Sequence, residues 1–258
     1  MAVTETADIR VPTGISGFDQ MSRGGFIRGD VILLNGSAGL GKSTFGLQFL
    51  YNGATKFNEP GVMVTFEELP QRLIRDSKNF GWDLPLLEKE GRLRVICTSP
   101  DLISNSDALY EIIDETTKSI AAKRLVIDSL TVVKKFLARD EKRLELYRLI
   151  NHFKTKNLTT ILTNEFGESF GSNPTAGTGS LSYLVDTVIT LRHAELNGDL
   201  RKTIAIMKMR GSDHDTDIKE YKITGKGFEL KASLKGYEGL LTGSPRMAGK
   251  LSSALESL

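Results

Sequence analysis

The chain has 258 residues, a length that suits one large α/β domain or two small ones. Its 34 basic and 32 acidic side chains leave a net charge of +2, which makes no general case for nucleic acid or an anionic membrane as partner. A single cysteine excludes an internal disulfide, and no apolar run approaches the roughly 20 residues of a membrane span. We therefore expect a soluble, cytoplasmic protein.

Met1 to Arg10 carries acids and no apolar h-region, so no signal peptide is expected. Val31-Ile32-Leu33-Leu34 reads as a buried strand, and Ser43 to Tyr51 reads as a helix. Between them stands Gly36-Ser37-Ala38-Gly39-Leu40-Gly41-Lys42-Ser43, which fits G-x-x-x-x-G-K-[ST] in its strand–loop–helix setting. The glycines free backbone amides to wrap a phosphate chain, and the helix N-terminus adds a positive dipole end. Ser37, Ala38, Gly39, Leu40 and Gly41 form the cradle. Lys42 is expected to reach the β- and γ-phosphates, Ser43 to ligate Mg²⁺, and Thr44 to complete the binding set. This stretch implies ATP or GTP.

An α/β alternation follows. Gly61 to Phe66 is a compact strand. Pro70 opens a helix with Leu73, Ile74, Ser77 and Phe80 on one face and Gly81 as its stop. Leu93 to Cys97 is a strand in which Cys97 is expected to be buried and inert. Ser106 caps a helix that turns Leu109, Ile112, Ile113 and Ile120 inward. Arg124 to Asp128 is a strand ending in an acid. Leu146, Leu149, Ile150 and Phe153 mark another helix, and Leu158 to Thr163 another strand.

The pattern changes after Glu165. Glu165 to Ser180 is a long Gly-, Ser- and Thr-rich loop. The runs Leu184 to Leu191, Thr203 to Met209 and Lys219 to Thr224 then lack helices between them, and Asn197-Gly198 is a turn signal. The expected fold is α/β: a mostly parallel central sheet flanked by helices, with antiparallel strands added toward the C-terminus. Residues 1–243 make one domain, and 244–258 a flexible tail.

Hydrolysis needs more than a phosphate cradle. Asp128, at the end of an apolar strand, is placed to hold Mg²⁺ directly or through water. Glu67 and Glu68 follow the strand Val62 to Phe66, at the end of a parallel strand that adjoins the ligand crevice. Either carboxylate can act as general base, and repulsion between adjacent acids raises the pKa of one. Spacing alone reads equally well as a solvated acidic pair leading into the next helix.

The chain resembles the KaiC-like group of RecA-superfamily ATPases. The resemblance runs from Pro12-Thr13-Gly14-Ile15-Ser16-Gly17-Phe18-Asp19 and Gly24-Gly25-Phe26-Ile27-Arg28-Gly29 through the P-loop. It continues in Thr65-Phe66-Glu67-Glu68, Leu125-Val126-Ile127-Asp128-Ser129-Leu130 and Asp186-Thr187-Val188-Ile189, and ends in Lys208-Met209-Arg210-Gly211-Ser212-Asp213-His214 and Gly239 to Pro245. It implies a RecA-like fold and a homo-hexameric ring with ATP between subunits. It further implies that the Glu67–Glu68 pair is catalytic and that Lys208, Met209, Arg210 and His214 reach the neighbour's nucleotide. A cation supplied in trans would stabilise charge on the γ-phosphate. Adenine rather than guanine is implied by the resemblance, and no Asn-Lys-x-Asp segment is present.

The chain also departs from that group's clock protein, which carries two ATPase domains in tandem. Ser182-Tyr183 stands where its second domain has an autophosphorylated Ser-Thr pair, so Ser182 is the one retained acceptor for weak autokinase activity. Phe166 replaces a basic residue of its first domain, while Glu165 keeps a place near the γ-phosphate. The leading reading is a slow ATPase that switches protein partners, with the tail from Ser244 as a docking segment bearing Leu251, Ala254 and Leu258. One alternative is a RecA- or RadA-type recombinase, but the loop from Glu165 to Ser180 contains no Lys or Arg to grip DNA. Another is a nucleotide-stabilised scaffold with negligible turnover.

Overall fold

A computed structural model describes residues 9–99, 106–136, 142–166, 181–242 and 245–247. The loop expected up to Ser180 is described at Glu165 and Phe166, and the tail at 245–247; Leu251, Ala254 and Leu258 lie outside the described residues. In chain order the strands are β1 (Arg10–Val11), β2 (Phe26–Ile27), β3 (Val31–Asn35), β4 (Gly61–Thr65), β5 (Leu93–Cys97), β6 (Arg124–Asp128), β7 (Thr159–Asn164), β8 (Thr187–Leu196), β9 (Asp199–Met209), β10 (Lys219–Thr224), β11 (Gly227–Ser233), β12 (Tyr237–Glu238) and β13 (Arg246–Met247). The helices are α1 (Phe18–Met21), α2 (Lys42–Lys56), α3 (Pro70–Lys78), α4 (Leu84–Lys89), α5 (Ser106–Ser119), α6 (Leu130–Phe136) and α7 (Lys142–Thr155).

Nine strands form one sheet in the order β11-β10-β9-β8-β3-β7-β6-β4-β5. From β8 to β5 the neighbours run parallel, and β8, β9, β10 and β11 pair antiparallel. The expected mixed sheet is what forms. Strands β3, β4 and β6 are buried at every residue, which explains their continuous apolar runs: helices cover both faces. One face packs α2 through Phe45, Phe49 and Leu50 against Ile32, Met63 and Val126. The other packs α5 and α7 through Leu109, Ile113, Leu149 and Phe153 against Leu33, Val62 and Leu125.

Asn197 and Gly198 both have positive φ, 55° and 81°, and join Leu196 to Asp199 in a two-residue hairpin turn. The hairpin carries β8 on to Leu196 and starts β9 at Asp199, longer than the apolar runs indicate. Strand β8 begins at Thr187, because 181–186 is a turn segment.

Cys97 corrects the expectation of burial: it is exposed. Strand β5 lies at the sheet's edge, and Cys97 is its last residue, so its covering is incomplete. The short elements β1, α1, β2, β12 and β13 are not read from the sequence, and neither are three longer ones. Helix α4 starts on Asp83, whose carboxylate accepts from the Leu86 amide, with Pro85 in its first turn. Helix α6 follows Asp128, and β11 extends the sheet beyond β10. Helix α3 ends at Lys78, and Gly81 (φ 72°) turns the chain three residues later.

Arg124, at the start of β6, is fully buried. Its guanidinium donates to Glu59 at 2.8 Å, to the Phe49 carbonyl at 2.8 Å and to the Pro12 carbonyl at 2.9 Å. Gly53 leaves room for it, since a Cβ there would lie 2.5 Å from the Arg124 side chain. One side chain of β6 thus ties together the segment after β1, helix α2 and the loop before β4. Among the described residues, no helix is long and apolar enough to cross a membrane.

Candidate nucleotide site

Four parallel strands deliver their carboxyl ends to one crevice. Asn35 of β3 pairs with Asn164 of β7, and Thr65 of β4 pairs with Asp128 of β6. The P-loop follows β3, Glu67-Glu68 follows β4, and Glu165 follows β7. The resulting pocket, about 480 Å³, is lined by Gly39, Gly41, Lys42, Ser43, Thr44, Thr65, Glu67, Glu68, Asp128, Ser129, Glu165 and Ile223.

Gly41 caps α2 in the left-handed region (φ 85°), and a Cβ there would stand 2.3 Å from Ile223 Cδ1. Only glycine satisfies both the conformation and the approach of β10. Leu40 is buried in the α2-side core, and its carbonyl accepts from Tyr221 Oη at 2.6 Å. Lys202 Nζ donates to the Gly39 carbonyl at 3.1 Å. Strands β9 and β10 therefore brace the P-loop from outside, while Ser37 and Ala38 stand on its outer part and do not line the pocket.

Lys42 is almost buried. Its ammonium donates to the Gly36 and Ser37 carbonyls at 2.9 and 2.8 Å and pairs with Glu165 Oε1 at 3.3 Å. Asp128 is also buried, and its Oδ1 accepts from Thr163 Oγ1. Below them Asn164 Nδ2 donates to Asn35 Oδ1 at 2.8 Å, and Asn164 Oδ1 accepts from Lys134 Nζ. This buried amide pair locks the end of β7 to the start of the P-loop.

The two glutamates differ. Glu67 is exposed at the pocket wall. Glu68 is half-buried, and its amide donates to Thr65 Oγ1 at 3.1 Å. Burial pushes the Glu68 carboxyl above its ordinary pKa; Asp128 and Asp76 add to this, and Arg72 and Arg75 counter it in part.

A buried carboxylate (Asp128) and the hydroxyl at the first turn of α2 (Ser43) fit Mg²⁺, which takes one or two protein oxygens and completes its shell with phosphate oxygens and water. Among the described residues, no group of three or more His, Cys, Asp or Glu could hold a metal ion.

Lys208, Met209, Arg210 and His214 are not brought into this pocket. Met209 pairs with Thr187, which pairs with Ile32 near the start of β3, so these residues lie at the opposite end of the sheet from the P-loop. Lys208 Nζ donates to the Ser182 and Val185 carbonyls, both at 2.7 Å. Burial and the charge of Arg210 hold its pKa below the ordinary value. Arg210 donates to the Tyr183 carbonyl at 2.6 Å and lies 3.7 Å from Asp186. The Met209 side chain is buried in the α2-side core, which leaves only its backbone for a ligand. His214 sits on the segment after β9, beside Asp215, whose amide donates to the Met21 carbonyl.

Thr65, Ser129 and Ile223 line the pocket although the sequence gives them no site role. Alternation along β10 puts Tyr221 and Ile223 on one face, and that signal could have indicated that the strand covers something. A larger concavity, about 690 Å³ beside Arg201, Lys222 and Lys231, lies on the antiparallel extension and contains neither the P-loop nor the carboxylates.

Comparisons with known proteins match most of the chain. A family model for the KaiC ATPase matches residues 11–235. The circadian clock oscillator protein KaiC of Synechococcus elongatus is 38% identical over 229 residues, covering 86% of this chain and 44% of that protein. KaiC of Parathermosynechococcus lividus is 38% identical over 226 residues, covering 84% of this chain and 41% of its own length. The chain thus spans less than half of these curated relatives. The crystal structure of a KaiC-like protein from Pyrococcus horikoshii superimposes with a TM-score of 0.77 at 35% identity, covering 87% of this chain and 99% of that one.

Proposed function

The chain belongs to the KaiC family of ATPases, and on that premise we propose that it is a slow Mg-ATP-hydrolysing ring ATPase that serves as a nucleotide-dependent switch. The observation that carries this reading is the separation of the two halves of the site. The P-loop and carboxylates occupy one end of the sheet, and Lys208 and Arg210 occupy the other. Side chains on β9 level with the start of β3 cannot bend back to a phosphate beyond the end of β3. Stacking subunits head to tail in a homo-hexamer would place one subunit's cations against the next one's pocket.

In this reading the P-loop amides and Lys42 hold the triphosphate. Ser43 and Asp128 would hold Mg²⁺, which would supply neutralisation of phosphate charge when bound. The Glu67–Glu68 pair orients a water and takes its proton as the water oxygen bonds to the γ-phosphorus and the bond to the ADP oxygen breaks. The neighbour's Lys208 and Arg210 stabilise charge on the transferred group, with His214 beside them. Hydrolysis then depends on assembly, which suits a switch read by protein regulators, through the tail among other surfaces. The position of Ser182, at the end that carries Lys208, makes any phosphate transfer to it a transfer from the neighbour's nucleotide.

Size-exclusion chromatography with light scattering, with and without Mg-ATP, tests this when peak fractions are assayed for phosphate release. A nucleotide-dependent ring that hydrolyses ATP is expected. A monomer with equal turnover would contradict sites shared between subunits.

A further inference from the structure

The β8–β9 ladder is regular except at one place. Val188 pairs with Lys208 and Ile189 with Ile206, so Met207 has no partner across the ladder. It is an extra residue, a β-bulge, set directly before Lys208-Met209-Arg210. The residue is 39% exposed and belongs to neither core cluster.

The core does not need this residue. Ile204, Ile206 and Met209 all belong to the α2-side cluster, and Lys208 lies opposite Val188 of the other cluster. With Met207 removed, Ile206, Lys208, Met209 and Arg210 would alternate inward and outward as a plain strand, with every residue keeping its present face. What the extra residue does change is direction. A bulge bends its strand and sharpens the local twist, and such features recur beside active sites, where they re-aim a side chain. In the structure the segment after the bulge is aimed so that Lys208 and Arg210 reach the carbonyls of Ser182, Tyr183 and Val185 at the sheet's end. The other irregularity in the antiparallel strands is between Lys219 and Tyr221, where β10 meets β11, and precedes no cation assigned to the site.

We propose that the β-bulge at Met207 is a positioning device that aims Lys208 and Arg210 at the neighbouring subunit's nucleotide. This rests on the shared-site reading above. Met207 acts through the backbone it adds, and touches neither phosphate nor water.

The test is deletion of Met207 in the full chain, with Mg-ATP throughout. The deletion variant is expected to fold, to bind a fluorescent ATP analogue and to assemble as wild type does. Its turnover is expected to fall about 10- to 100-fold, the cost of moving a charge by an ångström or so. Met207→Ala, which keeps the extra residue and removes only its side chain, restores at least half of wild-type turnover. Mixing the deletion variant with Lys42→Ala subunits supplies correctly aimed cations to its intact P-loops and recovers activity, which a general loss of stability would not allow. Full turnover of the deletion variant overturns the proposal, as does a deletion variant that cannot fold, because the residue would then serve the fold. Arg210→Ala mixed with Lys42→Ala reports on the underlying reading. If that pair complements while the deletion is harmless, the bulge inference fails alone. If that pair does not complement, the shared-site reading fails and the proposal falls with it.

Discussion

Lys42 and Glu165 face each other across the mouth of the P-loop, Nζ to Oε1 at 3.3 Å. The ammonium also holds two loop carbonyls, so a triphosphate must draw Lys42 from partners it already has. Glu165 additionally places a negative charge where phosphates arrive. It is 46% exposed, so the pair is weak. Glu165→Gln is expected to tighten ATP binding about 2- to 5-fold, read by calorimetric titration. Unchanged or weaker binding would remove Glu165 as a competitor for Lys42.

Asp128 carries the metal assignment. Asp128→Asn keeps the hydrogen-bond partner of Thr163 and removes the charge. ATP should still bind through the P-loop, but Mg²⁺ should no longer strengthen binding, and turnover should fall about 100-fold or more. Titrations with and without Mg²⁺ check this. An intact Mg²⁺ effect would place the metal elsewhere.

Glu68 links stability to pH. A carboxyl whose folded pKa is raised favours folding below its unfolded pKa and loses that advantage as pH rises through the folded value. Ionised Glu68 therefore costs stability at neutral pH. Glu68→Gln is expected to raise the melting temperature by about 2 °C at pH 7, with the gain gone below about pH 4, while turnover falls. A melting temperature lowered at pH 7 would mean that the carboxylate is well accommodated in the fold.

Arg124 and Glu59 make the structural counterpart. Burial would raise the Glu59 pKa, but hydrogen bonds and charge from Arg28 and Arg124 outweigh it and hold it low. Burial also pulls the Arg124 pKa down, yet a guanidinium stays charged. Arg124→Ala removes one of the two arginine partners of Glu59, leaving Arg28, and also strips the Phe49 and Pro12 carbonyls of their buried donor; it is expected to cost about 3–5 kcal/mol in urea unfolding. Glu59→Gln should cost less, and its penalty should shrink as pH falls through the depressed Glu59 pKa. Additive losses in the double variant would show that the two residues do not act as a pair.

The near half of the site was legible because each part is local. Gly36 to Ser43, Glu67-Glu68 and Asp128 each sit at the end of an apolar run, and a parallel sheet gathers such ends. What was not legible depends on pairing. Ile223 reaches the P-loop only because β10 joins the sheet two strands beyond β8. Cys97 is exposed because β5 takes the edge, which its apolar neighbours do not reveal. Helix α6 is seven residues long, too short for its periodicity to stand apart from a loop. The unpaired Met207 is visible only in the ladder, since the residues around it look the same with or without it. Lys208 and Arg210 came from resemblance, and the fold sets them at the opposite end of the sheet from their own subunit's P-loop.

The most direct measurement mixes two inactive variants. Lys42→Ala keeps the cations and loses the P-loop, and Arg210→Ala keeps the P-loop and loses a cation. Each alone should release phosphate at no more than a few per cent of the wild-type rate. In a random equal mixture about one interface in four joins an intact P-loop to intact cations, so about a quarter of wild-type turnover should return. A mixture no more active than its components would contradict a site built from two subunits.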